Sequence, residues 1–163
     1  MGKSTPATTA TADFVSRLHA ERDALKAFVT LLETEQQALV NGNTEQLLEL
    51  ADSKVLAAQG LSKLATTRSD ELRARGAKID SGGMTAWLQT NTANGLSAWH
   101  DILQLAEQAK QLNHTSGILI QTKLRYNQQA LMALQNAAHG ITGLYGPDGQ
   151  HSLSASGRTL GSV

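Results

Sequence analysis

Leucines at positions 18, 25, 32 and 39 fall seven residues apart, with Phe14, Phe28 and Val29 beside them. A seven-residue apolar repeat marks a helix that lays one seam against another helix. It predicts a first helix from about Thr11 to Val40. Asn41, Gly42 and Asn43 then supply a turn, and Asn43 followed three residues later by Gln46 reads as a capping box. The chain is expected to reverse there in a tight helical hairpin. A second helix follows to about Arg75, with Leu47, Leu50, Ala51, Val55, Ala58, Leu61, Ala65 and Leu72 as its inward stripe. Gly60 lies inside it at a cost of about 1 kcal/mol against Ala, and is a candidate point of close contact.

The longest pattern covers residues 96–139. Trp99, Ile102, Ala106, Ala109, Ile120, Leu124, Leu131, Leu134 and Ala138 recur at spacings of three and four, the period of one helix face. One helix is expected, with Gly140 as its left-handed cap, roughly 65 Å long at ~1.5 Å per residue. Residues 113–117 bring Asn, Ser and Gly near the buried stripe, which predicts a kink or a notch where Gly117 admits a neighbouring helix. Between residues 76 and 95 the composition turns to Gly, Ser, Asp and Asn around Met84, Trp87 and Leu88. Asp80 or Ser81 would cap a short helix there, its Trp87 plugging the end of the bundle; a partner-binding lid is the sharper alternative.

The expected fold is all-α: an elongated antiparallel helical hairpin packed along a third long helix, with a flexible C-terminal tail. Residues 1–10 read as a disordered N-terminal tail, 11–140 as the helical bundle and 141–163 as a flexible binding tail. If the connector turns the third helix back beside the second, Leu131, Met132 and Leu134 lack a partner within the chain. Large apolar side chains left wet forgo about 1.5 to 3 kcal/mol each, so this end is a candidate for cargo contacts. The tail is rich in Gly and Ser yet keeps Ile141, Leu144, Tyr145 and Leu153 as sparse apolar anchors, a pattern suited to ordering on a partner. Tyr145 is the strongest single candidate, offering an apolar face and a hydroxyl at little rotamer cost.

Composition narrows the classes. The chain's 163 residues suit one domain, and 14 basic residues balance 14 acidic ones, so no global field draws nucleic acid or anionic lipid. Arg68, Arg73 and Arg75 read as a solvated face, since Asp70 and Glu71 lie at spacings that pair with Arg73 and Arg75. Cysteine is absent, which excludes disulfides and thiol chemistry and fits a reducing compartment. No apolar run reaches the ~20 residues of a membrane span, and the N-terminus lacks a signal-peptide core. The five histidines are scattered singly, and no carboxylate–histidine helix motif, phosphate loop or nucleophile elbow occurs. Neither catalysis nor a metal or other cofactor is expected.

The run LNHTSGILI in the long helix, then RYNQQALMAL, LYGPDGQ and the closing GRTLGSV resemble the FlgN family of flagellar export chaperones, as does TEQQALVNGNTEQLLELADSK early in the chain. The resemblance spans about residues 12–157, with Ser116 standing where the family usually has Asn. It implies a cytosolic chaperone that binds the C-terminal helical regions of the hook–filament junction proteins FlgK and FlgL, prevents their premature association and delivers them to the export gate. It also implies that Tyr145, Gly146, Asp148, Gly149 and Gln150 belong to the cargo-binding and gate-docking end. The other reading of the residues themselves is a coiled-coil scaffold that homodimerises through its leucine seam.

Overall fold

The computed structural model describes residues 6–144, with side chains from residue 9 to residue 139. α1 (Pro6–Asn41) and α2 (Thr44–Ala74) form the hairpin; α3 (Ser81–Asn91) and a 3-10 turn (Ala93–Gly95) lead into α4 (Leu96–Leu144). Every described element is helical, so the class is all-α. α1 begins at Pro6, ahead of the expected start, and residues 6–10, read from sequence as disordered, are helical. Pro6 presets the backbone angle of a first helical residue, where its missing N–H costs nothing.

Two glycines close the first two helices in the same way. Gly42 takes a φ of 72°, its N–H donating to the Leu39 carbonyl (3.4 Å) while the Asn43 N–H donates to that of Ala38 (3.0 Å). These are the paired bonds of a Schellman closure. Asn43 at once caps α2, its Oδ1 accepting from the Gln46 N–H at 3.2 Å. Gln46 reaches back only to the Asn43 side chain, because the Asn43 N–H is already engaged by Ala38. Gly76, with φ 71°, repeats the arrangement: its N–H donates to Arg73 and that of Ala77 to Leu72.

Leu18, Leu25, Leu32 and Leu39 are all buried, as are Phe14 and Val29. The seam is therefore consumed within the chain. A scaffold that dimerises through it loses its surface, since the same leucines cannot face a second copy. Along α1 a second seven-residue series, Phe14, Glu21, Phe28 and Glu35, alternates between Phe and Glu, and the glutamates meet cations of α2. Glu21 accepts two hydrogen bonds from Arg68 (2.8 and 3.1 Å), and Glu35 accepts two from Lys54 Nζ (2.9 and 3.0 Å). Glu21 and Glu35 stand two heptads apart on α1, and their partners stand two heptads apart in reverse order on α2. This fixes the antiparallel register.

Because α2 meets α1 partly through ion pairs, its expected apolar stripe is only half used. Leu72 is fully buried, Leu47, Leu50, Leu61 and Ala65 are half-buried, and Ala51, Val55 and Ala58 are exposed. The arginine cluster also departs from the solvated face expected of it. The Arg68 guanidinium lies 4.9 Å from the Trp99 ring centroid, and Arg75 sits over Phe14 (4.9 Å) and Trp87 (5.5 Å). The expected Arg73–Asp70 and Arg75–Glu71 pairs both form, the first at the surface and the second half-buried. Both packed arginines place a weakly hydrated planar cation on an aromatic face, which a sequence spacing does not encode.

The connector is part of the core. Asp80 caps α3, its Oδ1 accepting from the Gly83 N–H at 2.6 Å. Met84 and Leu88 are completely buried among Phe14, Leu18, Leu72 and Trp99, and Trp87, half-buried, meets Phe14 edge-on at 4.9 Å. The plug is therefore Met84, Leu88 and Trp99, with Trp87 as its outer cover. At Gly95 an added Cβ would lie 2.7 Å from Leu88 Cδ2, so close approach of the 3-10 turn requires glycine.

On α4 the inward line runs through Ala98, Trp99, Ile102, Leu105, Ala109, Leu112, Ser116 and Leu119. Ala106 and Ile120, expected inside, are exposed. Leu105 and Ala106 both satisfy a three-four spacing, and the larger side chain takes the interior. The helix passes Gly140 and continues to Leu144, so Gly140 is not its cap. The expected notch is absent too, since an added Cβ at Gly117 or at Gly60 would meet nothing within 4 Å.

Candidate functional site

The chain divides into two units, residues 1–120 and 121–163. Each carries uncovered apolar surface. In the first, Leu48 and Leu56 are 74% and 69% exposed. In the same unit an open groove is lined by Phe28, Val55, Ala58, Ala109 and Asn113, with Lys54 and Lys110 on its walls. The doublets Leu47–Leu48 and Val55–Leu56 carry the signal for the exposed leucines, since one helix line cannot bury both members of each pair.

In the second unit the described residues are helical throughout. Leu131, Met132 and Leu134 are 57%, 64% and 69% exposed, and Leu124 and Tyr126 are comparably open. Leu124, Asn127, Leu131, Leu134 and Ala138 follow one another at three and four residues and so share one face. Met132 points about 100° away from Leu131 and lies off that face. The structure thus groups Leu131 with Leu134 and separates Met132 from them. Ile141 and Leu144 fall in the last turns of α4, and their side chains lie outside the described residues. Tyr145, Gly146, Asp148, Gly149 and Gln150 lie wholly outside them.

Among the described residues no cluster of His, Asp and Glu side chains could hold a metal ion. No described helix is long and apolar enough to cross a membrane. The exposed surfaces are built from Leu, Met, Tyr and amide side chains.

The family profile described as FlgN protein matches residues 1–152. This chain belongs to the FlgN family. The flagella synthesis protein FlgN of Yersinia enterocolitica is 30% identical over 155 residues, covering 90% of this chain and 95% of that protein. Its counterpart from serotype O:8, biotype 1B of the same species aligns equally well. A crystal structure from Pseudomonas aeruginosa, named as a flagella synthesis protein FlgN, superposes with a TM-score of 0.60 at 20% identity, covering 74% of this chain and 90% of that one. At that identity the likeness is one of fold. Membership in the FlgN family gives the chain a role in flagellum assembly. The exposed apolar face of α4 is then a surface of a FlgN protein.

Proposed function

We propose that this chain is a cytosolic flagellar export chaperone. It covers the C-terminal helical regions of the junction proteins FlgK and FlgL, keeps them from associating early and passes them to the export gate. The observation that carries the reading is the uncovered line Leu124, Leu131 and Leu134 on α4. An amphipathic helix laid along that line would bury about 1.5 to 3 kcal/mol of apolar side chain per leucine. Such binding uses no nucleotide and reverses by simple dissociation, as delivery of an unfolded cargo demands. The contact region extends in sequence through the apolar anchors Ile141 and Leu144 to Tyr145, Gly146, Asp148, Gly149 and Gln150, the last five of which resemble the family's tail motif.

The test is sedimentation of the purified chain with and without a peptide from the C-terminal helix of a junction protein. A defined heteromeric complex is expected. A chain that sediments identically in both samples refutes the reading.

A further inference from the structure

The chain's neutrality is global and not local. Thirteen of its 14 carboxylates lie within the first 107 residues, and residues 108–147 contain none. That stretch carries the cations Lys110, Lys123 and Arg125. Lys123 and Arg125 are exposed, and neither has an ion-pair partner among the described residues. Lys123 immediately precedes Leu124 and flanks the apolar line on one side, while Gln128 and Gln135 flank it on the other. At the middle of the line stands Asn127, exposed and polar, between Leu124 and Leu131.

These features define a partner. A helix packed along a seven-residue line meets the flanking positions as well as the line itself, and charges there select the partner. A second copy of this chain is a poor occupant: pairing two such faces would bring two Lys123 ammoniums to the flanks and no carboxylate to meet them. Asn127 costs stability in an apolar seam unless it meets a polar group, so it also sets the register of whatever binds.

Building on the export-chaperone reading, we propose that the second unit of this chain selects amphipathic helices that bear carboxylates beside their apolar stripe. Asn127 fixes the register by requiring one polar residue within that stripe. Electrostatic attraction of this kind acts through the association rate and weakens with salt.

The experiment uses the full-length chain and two designed helical peptides with the same heptad stripe, including one central Asn. One peptide is flanked by Glu and the other by Lys; a junction-protein C-terminal peptide is the third probe. Fluorescence anisotropy at low salt is expected to show the Glu-flanked peptide binding about tenfold tighter than the Lys-flanked one, with the gap closing as salt rises. In the Lys123→Glu variant the preference inverts while the melting temperature stays within a degree or two of the parent, as for most exposed substitutions. Lys63→Glu, on the exposed side of α2, is the control and leaves the preference intact. Asn127→Leu is expected to tighten binding of a peptide whose central Asn is replaced by Leu, and to loosen the register of all.

Equal affinity for the two designed peptides, or a preference that survives the charge reversal at Lys123, overturns the inference. If the junction-protein peptide still binds in that case, the chaperone reading stands without it. If the Glu-flanked peptide binds selectively and the junction-protein peptide does not, the charge rule stands and the junction protein is removed as occupant. A chain that is already a dimer, made monomeric by Leu131→Ser/Leu134→Ser, assigns the face to a second copy and overturns the inference.

Discussion

Arg68 reaches across the hairpin to Glu21, its Nε and Nη2 donating to the two carboxylate oxygens at 2.8 and 3.1 Å, while its guanidinium plane rests on Trp99. The pair is the deepest ion pair described, with side chains 16% and 7% exposed. It joins α1, α2 and α4 at one point. Removing one partner leaves the other charge buried alone, so Arg68→Ala should cost about 3 to 5 kcal/mol. Arg68→Met combined with Glu21→Leu should cost far less. Urea denaturation of the two single variants and the double one measures the difference, and equal losses in all three would show that packing, not charge, holds the site.

Ser116 is almost wholly buried, and its Oγ has no hydrogen-bond partner. A buried hydroxyl without a partner costs about 1 to 3 kcal/mol. Ser116→Ala should therefore stabilise the chain by about 1 kcal/mol, read as a higher midpoint in urea at unchanged slope.

Glycine positions divide by the space around them. At Gly117 and Gly60 a methyl group meets nothing, so Ala at either should add about 1 kcal/mol through helix propensity. Gly95→Ala drives a methyl into Leu88 and should cost about 1 to 3 kcal/mol. Thermal melts of the three variants should move in these opposite directions.

Much of this was legible in the sequence. The leucine seam, the Asn43 cap and the Asp80 cap are local signals, set by spacing and by side chains that bond their own backbone. The Glu21–Arg68 and Glu35–Lys54 pairs were not, because each joins positions 47 or 19 residues apart and nothing local marks the glutamates as inward. The α4 register was missed for another reason: Leu105 and Ala106 both fit the helical period, and packing against Val29 and Leu32 decided between them. At the candidate site, exposure of Leu131 and Leu134 agrees with their expected lack of cover, while Met132 faces elsewhere because neighbouring helix positions diverge.

Leu131→Ser with Leu134→Ser tests that site directly. Both side chains are more than half exposed, so stability should change by less than about 0.5 kcal/mol each. Binding of the junction-protein peptide should fall below detection. A drop of several kcal/mol in stability instead would make these residues core.

The two-residue turn at Gly42 and Asn43 has a consequence for how such a hairpin can vary in length. One residue inserted in α1 alone would swing the Leu seam by about 100° and put Glu21 and Arg68 out of step. Seven residues added to each arm would return every side chain to within about 20° of its place. Hairpins of this design should therefore lengthen or shorten in matched whole heptads, one rung on each side of the ladder, with the turn itself left untouched.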